Sequence, residues 1–390
     1  MNIGVDIRCL IRGRYNGVAE YTYQLLTALF ALDQKNQYWL FYNSYSQVSL
    51  PPFNQANVHY VGFRYPNRLL MLGLKLFNWP KLDQLIAQRY LLYPEPIKFD
   101  LFFLPNLDFV CFSKKVPVVL TAHDLSYELF PYFFSQKILW WHRLINPRRL
   151  AQTAQKILAV SENTKNDLVK IYQIPETKVV KVYSGLDQAF KKITDQEALA
   201  LARTNWRLPE KFILGLGTIE PRKNWESLIL AWQRAKIKYN IPHQLVLVGN
   251  QGWLQSSVFN LIKQSRLRQE IRYLNSVQPE ERVWLYNLAD LFVYPSWYEG
   301  FGFPPLEAMA CGLPTIIASN SALSEVASAG ALLVNPDNII EISEAMQQVL
   351  SDENLKNDLA KRGQQVAGNY PWSKTAQEVL AVFNQLKIQS

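Results

Sequence analysis

The sequence predicts an α/β protein of two domains, each built on a doubly wound parallel sheet with helices on both faces. Short, continuously apolar segments alternate with helix-length segments, and this alternation runs along the chain twice. Continuous apolar strands are typical of parallel sheets that are buried on both faces. The length of 390 residues also exceeds the size at which one hydrophobic core usually stops growing.

Twelve apolar runs are predicted to be strands. Those of the first half are IGVDI (3–7), YWLFYN (38–43), VHYVGF (58–63), LFFLP (101–105), PVVLTAHD (117–124), ILAVS (157–161) and VVKVYSG (179–185). Those of the second half are FILGLGT (212–218), LVLVG (245–249), IRYLNSV (271–277), LFVYPS (291–296) and PTIIAS (314–319). We expect one domain at 1–190 and the other at 191–370.

The composition excludes several classes of protein. With 49% hydrophobic and 19% charged residues, the chain should be globular throughout. Cys9, Cys111 and Cys311 lie far apart, which argues against a disulfide framework or a structural zinc site and favours a reducing compartment. The start MNIGVDI is expected to be a strand and not a signal peptide, and runs such as LLMLGL are too short to span a bilayer. We therefore expect a cytoplasmic protein.

The net charge of +9 is divided unequally between the two halves. Residues 1–190 contain 21 Lys and Arg against 13 Asp and Glu, a balance of +8, whereas residues 191–390 contain 20 against 19, a balance of +1. This asymmetry suggests that only the first half meets an anionic partner. The sequence contains no recognisable nucleic-acid-binding module, so nucleic acid is not the expected partner.

Ligand-binding and catalytic residues are expected at the carboxyl ends of the strands, because open parallel sheets bind ligands there. The segment EGFGFPPLE, residues 299–307, follows one such strand. Its two prolines suit the first turn of a helix, where missing amide hydrogens cost nothing, and Gly312 suits the position just past the helix. We therefore expect Glu307 in the first turn, on the same side as Glu299 and beside backbone amides that form an anion site.

Two simpler interpretations compete with an anion site. A glutamate in the first turn stabilises a helix by up to about 1 kcal/mol through the helix dipole alone, and paired carboxylates also suit a glycoside hydrolase. The nearby cations Arg222 and Lys223 follow another strand, with Gly217 allowing close backbone approach. Cations suit a leaving group that is already a diphosphate, so we favour diphosphate binding over glycoside hydrolysis.

Several segments together carry a family resemblance. They are GTIEPRKNWESLILAW, LVLVG, EGFGFPPLEAMACGLPTIIAS and ALLVNPDN in the second half, and GRYNGVAEYTYQLLTAL, TAHDLS and AVSENTKNDL in the first. Over essentially the whole chain the sequence resembles the retaining family 4 glycosyltransferases of the GT-B fold, in which two Rossmann-like domains face a cleft. The resemblance implies that a C-terminal helix at 371–390 packs back on the N-terminal domain. The usual Gly-Gly of the first loop is Asn16-Gly17 here.

The resemblance implies roles for the two glutamates and the two cations. Glu299 and Glu307 match the family's Glu-x7-Glu motif; the first would contact hydroxyls of the transferred sugar and the second the ribose of the donor nucleotide. Arg222 and Lys223 would neutralise the diphosphate as the glycosidic bond breaks. No D-x-D motif occurs in the sequence, and with two cations available no divalent metal or other cofactor is expected.

Other positions are implied to line the cleft. The backbone carbonyl of His123 would face the cationic sugar, although its side chain is equally well explained as a satisfied buried histidine. The loop 275–278, with Val277, would hold the base. Further donor contacts are implied for Gly17, Gly217, Thr218, Gly302 and Phe303.

The substrates are expected to be a nucleotide diphosphate sugar and a glycan or polyprenyl-linked acceptor. The motifs most resemble those of mannosyltransferases of bacterial surface-polysaccharide assembly, which favours GDP-mannose. The alternatives are a UDP-hexose donor with a soluble acceptor, a nucleotide-sugar 2-epimerase of the same architecture, and a catalytically silent scaffold.

Two segments mix basic and aromatic residues and predict contact with an anionic membrane. Residues 60–93 contain Arg64, Arg68, Lys75, Lys81 and Arg89 among Phe, Trp, Tyr and Leu. Residues 132–149 contain Lys137, Trp140, Trp141, Arg143, Arg148 and Arg149. On one helical surface, such residues suit a lipid interface, although packing of the apolar residues into the core is the alternative. We expect a peripheral protein on the inner face of the membrane.

Overall fold

Contacts within the chain divide it into two compact units. The computed structural model describes residues 1–11, 17–77, 79–89, 97–114, 116–275 and 277–388. The first unit comprises Met1–Leu125, Lys137–Gly185 and the chain from Trp372 onward, and the second comprises Ser126–Gln136 and Leu186–Pro371. Residues 1–190 are predicted to form one domain, whereas the structure places Ser126–Gln136 in the second unit.

Each unit contains one parallel sheet, as predicted. The first sheet has the order β3-β2-β1-β4-β5-β6-β7 and the second β10-β9-β8-β11-β12-β13. The strands are β1 (Asn2–Asp6), β2 (Gln37–Asn43), β3 (Val58–Phe63), β4 (Leu101–Leu104), β5 (Val118–Ala122), β6 (Lys156–Ala159), β7 (Val179–Lys181), β8 (Phe212–Leu216), β9 (Gln244–Val248), β10 (Ile271–Leu274), β11 (Leu291–Tyr294), β12 (Thr315–Ala318) and β13 (Leu332–Val334). All twelve predicted strands are confirmed, and β13 was missed.

Helices connect the strands and cover the sheets. They are α1 (Gly17–Leu32), α2 (Asn67–Leu72), α3 (Leu82–Arg89), α4 (Ser126–Leu129), α5 (Gln136–Ile145), α6 (Pro147–Thr153), α7 (Glu162–Tyr172), α8 (Gln196–Asn205), α9 (Trp225–Tyr239), α10 (Ser256–Gln264), α11 (Pro279–Leu288), α12 (Phe303–Ala310), α13 (Ser321–Val326), α14 (Ile339–Ser351), α15 (Glu353–Ala367) and α16 (Trp372–Ile388). A π-helical turn, Gly73–Phe77, extends α2. Within the described residues, no helix is long and apolar enough to cross a membrane.

The helix α16 is part of the first unit. The ring of Phe383 lies 5.3 Å from that of Phe103 on β4, and the ring of Trp372 lies 5.6 Å from that of Tyr21 on α1. Phe103, Tyr21 and Phe383 are fully buried. The helix therefore completes the core of a unit whose other residues come from the first half of the chain.

The strand order of the second sheet reverses between β8 and β11. From β8 the chain continues to β9 and β10 on one side, and from β11 it continues to β12 and β13 on the other. Connections that diverge in this way leave a crevice at the carboxyl ends of the two central strands, and ligands of open α/β sheets bind at such places. The first sheet has the same reversal between β1 and β4.

Candidate active site

Two loops meet at the crevice of the second sheet. The loop after β8 carries Arg222 and Lys223, and the loop after β11 carries Glu299. The backbone N–H of Trp297 donates to the carbonyl of Arg222 at 2.9 Å and joins the loops. The fold thus brings together three of the residues that the sequence analysis selected.

The carboxylate of Glu299 is buried and accepts hydrogen bonds from both loops. Oε1 accepts from Lys223 Nζ at 2.6 Å, Ser296 Oγ at 2.7 Å and Tyr294 OH at 2.9 Å, while Oε2 accepts from Arg222 Nη1 at 2.8 Å. Burial alone would raise the pKa of Glu299, but the charges of Arg222 and Lys223 outweigh burial and hold that pKa at about 2. Glu299 is therefore ionised at neutral pH and cannot act as the acid that a glycoside hydrolase needs.

The guanidinium of Arg222 is fixed by two carboxylates and a carbonyl. Its Nε and Nη2 donate to Glu220 Oε1 at 3.1 and 2.8 Å, and its Nη1 donates to Glu299 and to the carbonyl of Tyr298 at 2.7 Å. Glu220 was missed by the sequence analysis, although it lies only two positions before Arg222. Its buried carboxylate makes it part of the site.

The ammonium group of Lys223 is held in the same cluster. Its Nζ donates to the hydroxyl of Tyr294 at 2.6 Å as well as to Glu299. Burial, and then the charge of Arg222, lower the pKa of Lys223, while Glu299 opposes that shift. The two lysine contacts and the arginine contacts fix the positions of both cations.

The cluster of Glu220, Arg222, Lys223 and Glu299 has two positive and two negative charges. Arg222 and Lys223 were predicted to be available to an anion, but each is already paired with a carboxylate. Any anion that binds at these cations would have to compete with their internal partners. Among the residues that the structure describes, no group of three or more His, Cys, Asp or Glu side chains could hold a metal ion.

Glu307 lies in a different cluster, and its predicted position was wrong. Helix α12 begins at Phe303, so Glu307 is its fifth residue and lies beyond the first turn. Its carboxylate is fully buried and accepts from Arg282 Nη1 at 2.9 Å and from the Tyr286 hydroxyl at 2.8 Å. Arg282 and Tyr286 both come from α11 and were not selected from the sequence.

The turn between Glu299 and α12 depends on Gly302. This residue has φ = 101° and is the N-cap of α12, with prolines in the first turn as predicted. A Cβ at this position would lie 2.6 Å from Cδ2 of Leu323, so a larger residue would clash as well as being strained. Phe303 follows as the first helical residue, its ring 5.2 Å from that of Phe301.

The remaining donor-site candidates of the second unit lie on loops. Gly217 follows β8 with φ = 153°, and a Cβ on Gly249, which follows β9, would lie 1.8 Å from the Gly217 carbonyl oxygen. These two loops touch through their backbones. Thr218 is exposed, its carbonyl accepting from Trp225 Nε1 at 3.0 Å. Val277 is partly exposed just before α11.

His123 and Gly17 belong to the first unit. The Nε2 of His123 lies 2.9 Å from the carbonyl oxygen of Pro105, and the imidazole ring packs edge-on against Tyr21 at 4.7 Å. Its own carbonyl accepts from Thr164 Oγ1 at 3.3 Å, and burial lowers the pKa of the imidazole. Gly17 is the first residue of α1, and none of the described residues beyond its chain neighbours would lie within 4 Å of a Cβ there. Its neighbour Asn16 lies outside the described residues.

A buried charge cluster at the β1–β4 reversal was also missed. Arg8 Nη2 contacts Asp6 Oδ2 at 2.6 Å and Asp108 Oδ2 at 3.8 Å, and it donates to the carbonyl of Phe109 at 2.9 Å. The charges of Asp6 and Asp108 overcome the effect of burial and raise the pKa of Arg8. The sequence signal was the D-x-R spelling at the end of β1.

Two family models match most of the chain. Residues 196–366 match the family described as Glycosyl transferases group 1, and residues 15–190 match Glycosyltransferase Family 4. The two matches correspond to the two halves of the chain.

Several known proteins are similar in sequence. O-antigen chain mannosyltransferase B of Escherichia coli is 28% identical over 269 residues, which are 69% of this chain and 70% of that protein. The serotype-specific mannosyltransferase WbdA of Escherichia coli is 29% identical over 60% of this chain but only 29% of its own length. O-antigen chain mannosyltransferase RfbU of Salmonella typhimurium is 28% identical over 56% of each chain.

Solved structures share the fold. Sucrose-phosphate synthase from Thermosynechococcus elongatus superimposes with a TM-score of 0.76 at 20% identity, covering 100% of both chains. Alr3699/HepE of Anabaena, in complex with UDP and glucose, gives a TM-score of 0.69 at 17% identity and covers 98% of this chain and 99% of its own. At these identities the likeness concerns the fold alone.

Proposed function

This chain belongs to the family 4 glycosyltransferases, and we propose that it transfers mannose from GDP-mannose to a lipid-linked glycan with retention of the α configuration. The observation that carries the proposal is the buried cluster of Arg222, Lys223 and Glu299 at the crevice of the second sheet. It provides two fixed cations for a diphosphate and, beside them, a carboxylate that stays ionised.

In this proposal, the cations act on the leaving group and Glu299 acts on the sugar. Arg222 and Lys223 exchange carboxylate contacts for diphosphate oxygens and stabilise the charge that develops as the glycosidic bond breaks. The Oε2 of Glu299 contacts one guanidinium nitrogen at 2.8 Å, and a carboxylate oxygen can accept a second hydrogen bond, here from a sugar hydroxyl. Gly302 and Phe303 offer backbone amides at the start of α12.

Less direct roles are proposed for the other candidates. Glu307 contacts the ribose, which requires its carboxylate to leave part of the Arg282 and Tyr286 contacts. Val277 packs against the base, and the loop of Gly217 and Thr218 lines the donor site. For the first unit, the roles implied for Gly17 at the diphosphate and for the carbonyl of His123 at the reacting sugar remain predictions.

The choice of mannose is supported by the names of the relatives. O-antigen chain mannosyltransferase B, WbdA and RfbU are all mannosyltransferases by name, and two of those names specify the O-antigen chain. The test is to incubate the protein with radiolabelled GDP-mannose, UDP-glucose and UDP-galactose, with and without a lipid-linked glycan acceptor. Transfer that requires acceptor and prefers GDP-mannose is expected. Preferential transfer from a UDP-hexose would overturn the choice of donor, and release without acceptor would favour an epimerase or hydrolase.

We propose that the reaction needs no divalent metal, since Arg222 and Lys223 can supply the positive charge for the diphosphate. Transfer should be unchanged by EDTA and should not rise when Mg²⁺ or Mn²⁺ is returned. Loss of transfer in EDTA, restored by either ion, would contradict this part of the proposal.

We propose that the first unit meets the acceptor at the inner face of the membrane. In the first unit, α2, its π-helical extension and the residue beyond it at position 79 carry large apolar side chains that are 50% to 73% exposed. We call them the ridge, and they are Leu69, Leu72, Leu76, Phe77 and Trp79. The exposed cations Arg64 and Lys75 lie in the same part of the chain. Apolar side chains with neighbouring cations suit insertion at an anionic lipid interface.

The basic and aromatic residues of each segment are divided among several elements and do not share one helix. In the first segment, Lys81 Nζ contacts Cys111 Sγ at 2.9 Å and the Arg89 guanidinium lies over the ring of Phe63. In the second, the helix breaks at Asn146, which has φ = 56°, and Trp141 packs against Phe109. The ridge at 69–79 is therefore the better candidate for lipid contact.

Co-sedimentation with liposomes tests the lipid contact. The protein should sediment with vesicles that contain anionic lipid more than with neutral ones, and a Leu76→Ser, Phe77→Ser double variant should remain in the supernatant. The matched control is Ile237→Ser, which removes a 79% exposed apolar side chain from α9 in the second unit. Equal recovery of all proteins in the supernatant would leave a soluble acceptor as the better choice.

A further inference from the structure

A short segment from the first half of the chain is built into the second unit. We define the aromatic segment as Ser126–Gln136, which includes α4 and a 3-10 turn at Pro131–Phe133. The chain enters it three residues after His123. The sequence motifs of the donor site do not explain why the aromatic segment belongs to the second unit.

The aromatic segment packs against the loop after β11. The ring of Phe130 lies 5.5 Å from that of Tyr298, and the ring of Phe133 lies 6.5 Å from that of Trp297. Phe130 and Phe133 stack on each other at 5.5 Å, so the two contacts are joined.

A second anchor fixes the end of the aromatic segment. Trp253 Nε1 donates to the carbonyl of Phe133 at 2.6 Å, and the Trp253 ring stacks on Phe134 at 5.7 Å. A hydrogen bond together with a stacked ring pair restricts both the position and the orientation of the 3-10 turn. The aromatic segment is therefore held from the loop after β9 as well as from the loop after β11.

The residues that the aromatic segment touches also hold the charged cluster. The carbonyl of Tyr298 accepts from Arg222 Nη1 at 2.7 Å, and the N–H of Trp297 donates to the carbonyl of Arg222 at 2.9 Å. Glu299 directly follows Tyr298. A shift of the Tyr298 ring would therefore move both an acceptor of Arg222 and the backbone of Glu299.

From these contacts we infer that Phe130 and Phe133 are positioning residues for the donor loop. They act through Tyr298 and Trp297, and they set the placement of Arg222 and Glu299 relative to the diphosphate and the sugar. The inference rests on the proposed function, because it assigns the loop after β11 to donor binding. It adds that residues far from the donor motifs in sequence determine the geometry of that loop, and that the same stretch of chain continues to His123.

The test compares Phe130→Ala with Phe130→Leu and with Tyr132→Ala. Tyr132 lies in the same turn but is 68% exposed, and its ring contacts Phe130 and Phe133. A misplacement of about 1 Å at a catalytic group can cost a hundredfold in rate. Phe130→Ala should therefore lower kcat/KM for the donor roughly tenfold to a hundredfold and weaken GDP binding measured by calorimetry, with the acceptor KM unchanged. Phe130→Leu should restore most of the activity, and Tyr132→Ala, which keeps the contact of Phe130 with Tyr298, should cost less activity than Phe130→Ala.

The outcomes separate the two proposals. If the wild type transfers sugar and Phe130→Ala has the same donor kcat, donor KM and GDP affinity, the positioning role is refuted and the proposed function stands. A fall in Tm with unchanged kinetics of the folded protein would also refute it, since the contacts would then be structural only. If the wild type neither transfers sugar nor binds GDP or UDP, both proposals are overturned.

Discussion

Replacing Glu220 by glutamine should strengthen the binding of a nucleoside diphosphate. The four charges of the cluster sum to zero, and Glu220 holds Arg222 at 2.8 Å from Nη2. Glutamine retains a carbonyl oxygen that can accept from Nε and Nη2 of Arg222, but it removes one negative charge. The cluster of Glu220→Gln would therefore bear a net charge of +1 with its hydrogen-bond geometry largely kept.

The expected gain in binding free energy can be estimated from the size of a guanidinium group. A phosphate on the far side of Arg222 would lie about 6 Å from the Glu220 carboxylate, and at an effective dielectric constant of about 20 the repulsion between one pair of charges is roughly 2 to 3 kcal/mol. Because water in the open site weakens this repulsion, we expect GDP binding to become more favourable by about 2 kcal/mol. This corresponds to a Kd for GDP that is lowered about thirtyfold.

Calorimetric titration of GDP and UDP measures this effect. The matched control is Glu344→Gln, which removes the same charge from an exposed position of α14 in the same unit and should leave the Kd unchanged. Glu220→Ala shares the loss of charge but removes the acceptor of Arg222, so it should transfer sugar more slowly than Glu220→Gln. An unchanged or weaker affinity of Glu220→Gln at unchanged Tm would refute the reasoning from the neutral cluster.

Three further predictions concern the same cluster. Arg222→Ala or Lys223→Ala should lose roughly 2–4 kcal/mol of transition-state stabilisation. Each variant should also have a lower Tm, because it leaves a buried carboxylate short of a partner. Normal turnover by either variant would exclude a role of the replaced residue at the diphosphate. The lowered pKa of Glu299, about 2, stabilises the folded protein above the ordinary glutamate pKa, and roughly 3 kcal/mol of this should be lost as the pH falls from about 4.5 towards 2. Tm measured across that range should fall less steeply for Glu299→Gln than for the wild type. The product formed from an α-linked donor should keep the α configuration by NMR, and a β product would exclude retention.

The fold could be predicted in detail because the signal for buried parallel strands is strong. β4 and β11 read LFFL and LFVY, and all residues of both strands are buried. The missed strand β13 has three residues, only one of them buried. It reads LLV, and this apolar run is shorter than those of the strands that were predicted.

Contacts within the candidate site were harder to predict than its residues. The pattern E-P-R-K placed Arg222 and Lys223 at a strand end, but only the adjacency of β8 and β11 brings Glu299 to them. Sequence spacing alone does not reveal which carboxylate pairs with which cation. The predicted position of Glu307 was wrong because the helix already starts at Phe303, ahead of the two prolines, so that Glu307 is its fifth residue.

The aromatic segment had no local signal for its place in the second unit. Its rings looked like part of a membrane-facing surface, since basic and aromatic residues follow it directly in the sequence. The place of the aromatic segment in the second unit is decided by its contacts with Trp253 and Tyr298. Both residues lie more than 100 residues further along the chain. Such long-range pairs are set by tertiary structure and not by local pattern.

The place of α16 in the first unit has a consequence for the order in which the protein can be completed during synthesis. All seven strands of the first sheet have been made once Gly185 has been made. The residues that pack on Phe103 and Tyr21, namely Phe383 and Trp372, follow the whole of Leu186–Pro371. The second unit needs nothing beyond Pro371. During synthesis on the ribosome, the first unit is therefore begun first and completed last. An apolar face of its core stays uncovered until the second unit has been translated.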